Sequence, residues 1–285
     1  MSFDDQITFI GPGVMAEAMI AGIIRTKFAS ADQIVASGPL VERGEELEAR
    51  YGLTATSDNV AAVKDAEVVV LSVKPQHLKA VFDDLHGQIK PSALVLSIIA
   101  GATLLKIEKG LKTETIIRSM PNTPAQIGQG ITVWTASPSV SEAQRKTGQQ
   151  ILAALGEEVY LDEEYYLDMA TALSGTGPAY VFLFMEAMVD AGVHLGFPRR
   201  IAEQLVAQTV RGSVDYFTKR NDPVHLARLR NQVTSPGGTS AAALYYLEKA
   251  GFRTAISRAI WAAFERSQEL GADPQAQSPE SGGKV

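Results

Sequence analysis

The stretch Ile7-Thr8-Phe9-Ile10-Gly11-Pro12-Gly13-Val14-Met15-Ala16 decides how the rest of the chain reads. Four β-branched or aromatic residues predict a buried strand, the pattern G-x-G-x-x-A follows at once, and an Ala- and Met-rich helix comes next. Gly11 permits a tight turn, Gly13 lets a pyrophosphate approach the backbone, and small Ala16 lets helix and strand pack closely. The helix N-terminus would then face an anion. An ordinary Gly turn can look the same, but this one heads an alternating pattern and therefore reads as a dinucleotide site. The same turn occurs in nucleoside-sulfonium binders, which keeps a methyltransferase as an alternative.

Outward from that turn, residues 7 to about 160 alternate short β-branched runs with longer amphipathic segments. This is the pattern of a parallel sheet wrapped by helices. Strands are expected at 7–10, 34–37, 68–73, 94–98, 115–119 and 132–134. Helices are clearest at 42–51 and 141–155, with Ser141 as N-cap of the second. Beyond residue 161 the apolar spacing changes from two to three and four. Phe252, Ile256, Ile260, Ala263 and Leu270 form one stripe, and Ile201, Leu205, Val206 and Val210 another. The organisation expected is a dinucleotide-binding domain at 1–161, an all-α domain at 162–271, and a polar, disordered tail at 272–285. The helices are apolar enough to expect packing against a second subunit.

With 285 residues, 46% hydrophobic and 20% charged, the chain can bury two cores, which excludes a disordered or collagen-like polymer. A net charge of −6, with no basic run longer than Arg199-Arg200, argues against nucleic acid and anionic membrane as partners. The absence of Cys removes thiolate catalysis and Zn–thiolate or Fe–S sites. His77, His86, His194 and His225 stand apart from one another, so no metal site is expected. The apolar run 7–24 is preceded by Asp4 and Asp5 and broken early by Gly11, Pro12 and Gly13, unlike a signal or membrane span; a cytoplasmic protein is expected.

Five further segments bear on chemistry. Ser37-Gly38-Pro39 stands where an NAD site usually carries a carboxylate. Nothing there repels a 2′-phosphate, Ser37 could hydrogen-bond it and Arg43 could supply charge, which favours NADP over NAD. The buried run 68–73 ends in Lys74-Pro75 at the crevice edge, and Arg118-Ser119-Met120-Pro121-Asn122-Thr123-Pro124 ends a strand in a stiff loop. Leu173-Ser174-Gly175-Thr176-Gly177-Pro178-Ala179-Tyr180 and Thr234-Ser235-Pro236-Gly237-Gly238-Thr239-Ser240 each put hydroxyls at an expected helix start. Capping accounts for a hydroxyl there, whereas a double Gly is entropically costly unless something must approach the backbone. The second segment therefore reads as a site for a small carboxylate.

Val-Lys-Pro, Met-Pro-Asn-Thr-Pro, Ser-Gly-Thr-Gly-Pro-Ala-Tyr and Ser-Pro-Gly-Gly-Thr, in that order behind G-x-G-x-x-A, resemble the pyrroline-5-carboxylate reductase family over residues 7–271. The resemblance implies a Rossmann domain followed by a helical dimerisation domain, with the active site between domains and drawing on a partner chain, in a homodimer or a ring of dimers. It implies reduction of 1-pyrroline-5-carboxylate to proline by NADPH, or by NADH. The cofactor contacts it implies are Gly11, Pro12, Gly13, Val14, Met15, Ser37, Asn59, Val73, Lys74, Pro75, Ala100 and Asn122. Ser235, Gly237, Gly238, Thr239 and Ser240 would hold the substrate, with Glu164 at the pocket edge, and Ser240 and Thr239 are the catalytic candidates. The sequence departs from the family pattern at Val14, at Thr239-Ser240, and in a longer loop at 221–229.

A cyclic imine can take its proton from water, so a pocket of hydroxyls and amides suffices. Three rivals fit less well. A hydroxyacid dehydrogenase would carry a Lys in the first helix after the junction, and residues 180–195 hold none. A non-catalytic dinucleotide sensor would leave the double Gly idle, and a methyltransferase leaves the helical half unexplained.

Overall fold

A computed structural model of the chain describes residues 3–220 and 222–272. Of the tail expected at 272–285, residues 273–285 lie outside them.

Residues 6–160 build one eight-stranded sheet with its helices. Its elements are β1 (Gln6–Ile10), α1 (Val14–Arg25), β2 (Ile34–Ser37), α2 (Val41–Tyr51), β3 (Thr54–Thr56), α3 (Asn59–Val63), β4 (Ala66–Leu71), α4 (Leu78–Leu85), β5 (Leu94–Ser97), α5 (Leu104–Leu111), β6 (Ile116–Met120), β7 (Gly130–Ala136), α6 (Glu142–Ala153) and β8 (Gly156–Tyr160). The strand order is β3-β2-β1-β4-β5-β6-β7-β8, so the winding reverses between β1 and β4. Ligands of such sheets bind at the carboxyl edge of that switch point.

The run Val68-Val69-Val70-Leu71 explains why β4 lies in the middle. Val68 and Val70 enter one apolar cluster with Phe9, Met19 and Trp134; Val69 and Leu71 enter the other with Leu85, Val95 and Ile107. Period-two alternation thus buries both faces, which only a strand covered by helices on both sides can do.

Three sequence expectations are corrected. The sheet is not wholly parallel: β6 and β7 pair antiparallel, and β8 follows β7 in parallel. The link from Met120 to Gly130 is too short for a crossover helix, and it turns through a 3-10 segment, Thr123–Ile127. Strands β3 and β8 are additional to the six expected. Part of the loop expected at 221–229 is helical, because α10 (Leu226–Gln232) starts there, with the His225 Nδ1 accepting the Ala227 N–H at 3.1 Å.

Packing divides the described residues into two compact units, one of residues up to 176 together with those from 262 on, and the other Gly177–Trp261. The first unit runs on past residue 161, because α7 (Tyr166–Ala170) packs its Leu167 and Ala170 against Val133 of β7. The second unit holds α8 (Gly177–His194), α9 (Arg199–Thr218), α10, α11 (Thr239–Lys249) and the first half of α12 (Phe252–Gly271). Helices α8 and α9 close on Val189, Ala202 and Val206, with Met185, Met188 and Val210 around them. Outside that small core, Phe182, Leu183, Val214, Tyr216, Tyr245, Tyr246 and Trp261 are exposed. Among the described residues one helical stretch, 166–194, is long and apolar enough to cross a membrane, and little of it is buried.

Candidate active site

At the switch point, β1 ends in Ile10 and the chain turns on Gly11, whose φ of +92° is reserved in practice for glycine. A Cβ there would also stand 2.5 Å from Val73 Cγ1, so the turn lies directly against the end of β4. Ser72 Oγ donates to the Gly11 carbonyl at 2.9 Å, and Arg43 Nε donates to the Pro12 carbonyl at 3.0 Å. Both carbonyls are thereby held. Gly13 is the N-cap of α1 without any capping side chain, and a Cβ on it would meet nothing within 4 Å. The Glu17 N–H takes the first helical bond, to the Gly13 carbonyl at 2.9 Å, which leaves the N–H groups of Val14, Met15 and Ala16 as the free donors of the helix end. Open space over uncapped donors is what a pyrophosphate requires, so these residues fit a dinucleotide.

Arg43, expected to face a 2′-phosphate, is committed elsewhere. It bridges Glu17 of α1 and Glu46 of α2, and Arg50 and Tyr51 also bond Glu17. Burial pushes the Glu17 carboxyl up, but hydrogen bonds from Arg43 and Tyr51 and the neighbouring guanidinium charges outweigh it and hold the group below its usual range.

Ser37 ends β2, fully buried, and its Oγ lies 2.7 Å from Asn59 Oδ1. Asn59 in turn donates from Nδ2 to Asp84 at 3.0 Å. The neighbouring loops touch here as well, since a Cβ on Gly38 would stand 2.5 Å from Pro12 Cδ.

Lys74 and Pro75 open a 3-10 turn at the end of β4, with Lys74 exposed. Ala100 follows β5, half-buried. Asn122 is buried; its Oδ1 accepts from the Ile131 N–H at 3.0 Å and its Nδ2 donates to the Ser174 carbonyl at 3.2 Å. Glu164 accepts through one oxygen from both Arg118, at 2.8 Å, and the Leu104 N–H at the start of α5, at 2.7 Å. That oxygen holds the fold. Arg118, 3% exposed, also reaches Asp168 at 3.2 Å, and Ser267 of α12 donates to Asp168 at 2.8 Å. This network bonds residues 46 to 99 positions apart, and no local pattern announces it. Ser72 and Arg43 also anchor the β1 loop, and since each does so through a backbone carbonyl 31 or 61 positions away, no sequence pattern announces it.

The two Gly-rich motifs of the later chain differ. Ser174 and Gly175 lie in a π-helical turn, Thr171–Gly175, and the Thr176 N–H bonds back to the Thr171 carbonyl at 2.8 Å. The expected free helix start is therefore absent from this motif, because a widened turn has absorbed its donors. The second motif keeps the expected form. Gly237 has φ +71° with nothing within 4 Å of a Cβ, and Gly238 is an N-cap without a side-chain partner. The Ala242 N–H bonds to the Gly238 carbonyl at 3.1 Å, leaving those of Thr239, Ser240 and Ala241 as end donors. Thr239 is exposed, and Ser240 is half-buried at the second position of α11. Together they place hydroxyls and N–H groups at an open helix start, which a small anion would fit.

Residues 164–270 match the family model described as pyrroline-5-carboxylate reductase dimerisation, and residues 6–101 match that of NADP oxidoreductase, coenzyme F420-dependent. The chain is 42% identical to a pyrroline-5-carboxylate reductase of Synechocystis over 93% of this chain and 98% of that one. Its identity to the Pseudomonas aeruginosa reductase is also 42%, over 93% of this chain and 96% of that one. The crystal structure of the Plasmodium falciparum pyrroline carboxylate reductase with NADP bound superposes with a TM-score of 0.85 at 32% identity, covering 95% of this chain and all of that one. With its dinucleotide turn, its uncapped α11 start and this similarity along nearly its whole length, the chain belongs to the pyrroline-5-carboxylate reductase family.

Proposed function

We propose that this chain carries out the reaction of its family, the NAD(P)H-dependent reduction of 1-pyrroline-5-carboxylate to L-proline, the last step of proline biosynthesis, and that residues 235–240 hold the substrate. The observation that carries the substrate assignment is the start of α11, where Gly238 caps the helix with backbone alone and Gly237 leaves the approach open. Partial positive charge on the N–H groups of Thr239 and Ser240 attracts a carboxylate, and the Thr239 and Ser235 hydroxyls add donors.

When bound, the reduced nicotinamide supplies a hydride to the imine carbon. Every other contribution is made by the chain's own residues. The anchored carboxylate fixes the ring, which converts a bimolecular encounter into a positioned one. The Ser240 hydroxyl donates to the imine nitrogen and relays the proton that completes the secondary amine. In the first unit, Gly11, Pro12, Gly13, Val14 and Met15 would hold the pyrophosphate, and Val73, Lys74 and Pro75, past the end of β4, and Ala100, after β5, would border the nicotinamide. Glu164 braces the start of α5, just after Ala100, and Asn122 ties β7 to the turn at Ser174.

The chain works as a homodimer in this reading, which is supported by the match of residues 164–270 to a dimerisation model and by the exposed apolar side chains of α8, α9 and α11. A ring of such dimers in the cytoplasm is the assembly we favour.

The test mixes purified protein with 1-pyrroline-5-carboxylate and either reduced cofactor, then follows nicotinamide absorbance and proline formation. Stoichiometric oxidation and proline are expected; no turnover with either cofactor would refute the reading.

A further inference from the structure

The chain Ser37–Asn59–Asp84 fixes what the end of β2 offers to the ribose of a dinucleotide. A carboxylate only accepts hydrogen bonds, so Asp84 must take an N–H from Asn59, and the amide nitrogen faces Asp84. The amide oxygen consequently faces Ser37, and the single hydroxyl proton of Ser37 is spent on it. A 2′-phosphate is an acceptor too, with roughly one and a half to two negative charges. The donors it would need are already engaged. Ser37 is buried, the Gly38 N–H bonds the Thr56 carbonyl at 3.1 Å, and Arg43 is held by Glu17, Glu46 and the Pro12 carbonyl. The negative charge of Asp84 stands two hydrogen bonds from Ser37. A ribose 2′-hydroxyl, which can donate, suits this environment better.

We propose that Asp84 is a specificity-determining residue for the dinucleotide, which by orienting Asn59 and by its charge weakens binding of 2′-phosphorylated cofactor relative to the unphosphorylated one. Position 84 on α4 thus stands in for the carboxylate that is missing after β2. The inference rests on the nicotinamide-dinucleotide reading above and concerns only discrimination within it. Asp84→Asn removes the charge and offers Asn59 a partner that both donates and accepts, so the amide can turn over and free the Ser37 proton.

The experiment is calorimetric titration of the full chain with NAD+ and with NADP+ for wild type, Asp84→Asn and Asp84→Glu. Both ligands are measured on each preparation, so any loss of folded protein cancels in the ratio of dissociation constants. For Asp84→Asn, NADP+ should bind about three- to tenfold tighter while NAD+ changes less than about twofold, the size set by one screened charge near a phosphate. Asp84→Glu should keep the wild-type ratio. An unchanged ratio in Asp84→Asn, or an equal change for both dinucleotides, would overturn the proposal. Failure of wild type to bind either one would instead bring down the cofactor reading, and the proposal with it.

Discussion

Gly13 and Gly238 hold nearly the same backbone conformation, φ −78° and ψ −172° in the first, φ −80° and ψ 172° in the second, and each heads a helix without a capping side chain. Each helix start therefore keeps its end donors for something other than its own chain. Two anions need such ends in an imine reduction of this kind, a pyrophosphate and a substrate carboxylate. Neither φ demands glycine, so what selects glycine is the room it leaves.

That separates fold from function at Gly13. A Cβ there meets no protein atom, so Gly13→Ala should leave the thermal midpoint within about 2 °C of wild type. The methyl occupies the space above the α1 donors, and dinucleotide affinity should fall about tenfold or more. Differential scanning calorimetry with and without NADP+ checks both halves.

Ser240→Ala removes a hydroxyl but not the backbone donors of α11. The rate constant kcat should fall about 10- to 100-fold, the usual weight of one proton relay or donor, with cofactor affinity unchanged. Steady-state kinetics beside a fluorescence titration of NADPH distinguishes this from general damage, and an unaltered kcat would remove Ser240 from the mechanism.

Arg118 is almost wholly buried between Glu164 and Asp168. Arg118→Leu leaves both carboxylates without a cationic partner, with Glu164 29% and Asp168 18% exposed and so able to draw some water. The loss of stability should be about 2–3 kcal/mol, read by urea denaturation.

Glu17 predicts a pH dependence. Its folded carboxyl lies below the ordinary range, so its stabilisation is complete above the unfolded value, about 4.3, and is lost as pH falls through the folded one. Glu17→Gln should be less stable than wild type near pH 7, and the gap should narrow under acid as wild type loses its ion pairs to Arg43 and Arg50. Urea midpoints for both proteins across the acid range test the sign.

The β1 turn and the α11 start were legible because their signals are local: a few consecutive residues fix both the conformation and the space around it. Strand β3 is three residues long and β8 carries Glu157 and Glu158 on an exposed edge, so neither has the apolar run that marks the central strands. Strand direction leaves no trace in composition, and β7 reverses only because its link is short. The motif at Ser174 and the motif at Ser235 look alike on paper; the hydroxyls of Thr171 and Ser174 bond back to the Leu167 and Ala170 carbonyls and draw the first into a π turn. Ser37, Asn59 and Asp84 are 22 and 25 positions apart, joined only by tertiary packing.

The anchoring of a substrate carboxylate by the start of α11 is tested most directly by comparing kcat/KM for 1-pyrroline-5-carboxylate with that for 1-pyrroline, the same ring without the carboxylate. If the helix end supplies the grip, the second value should be lower by about 100-fold or more, as expected for a lost charge-assisted contact of about 3 kcal/mol. Equal values for the two imines would contradict the account.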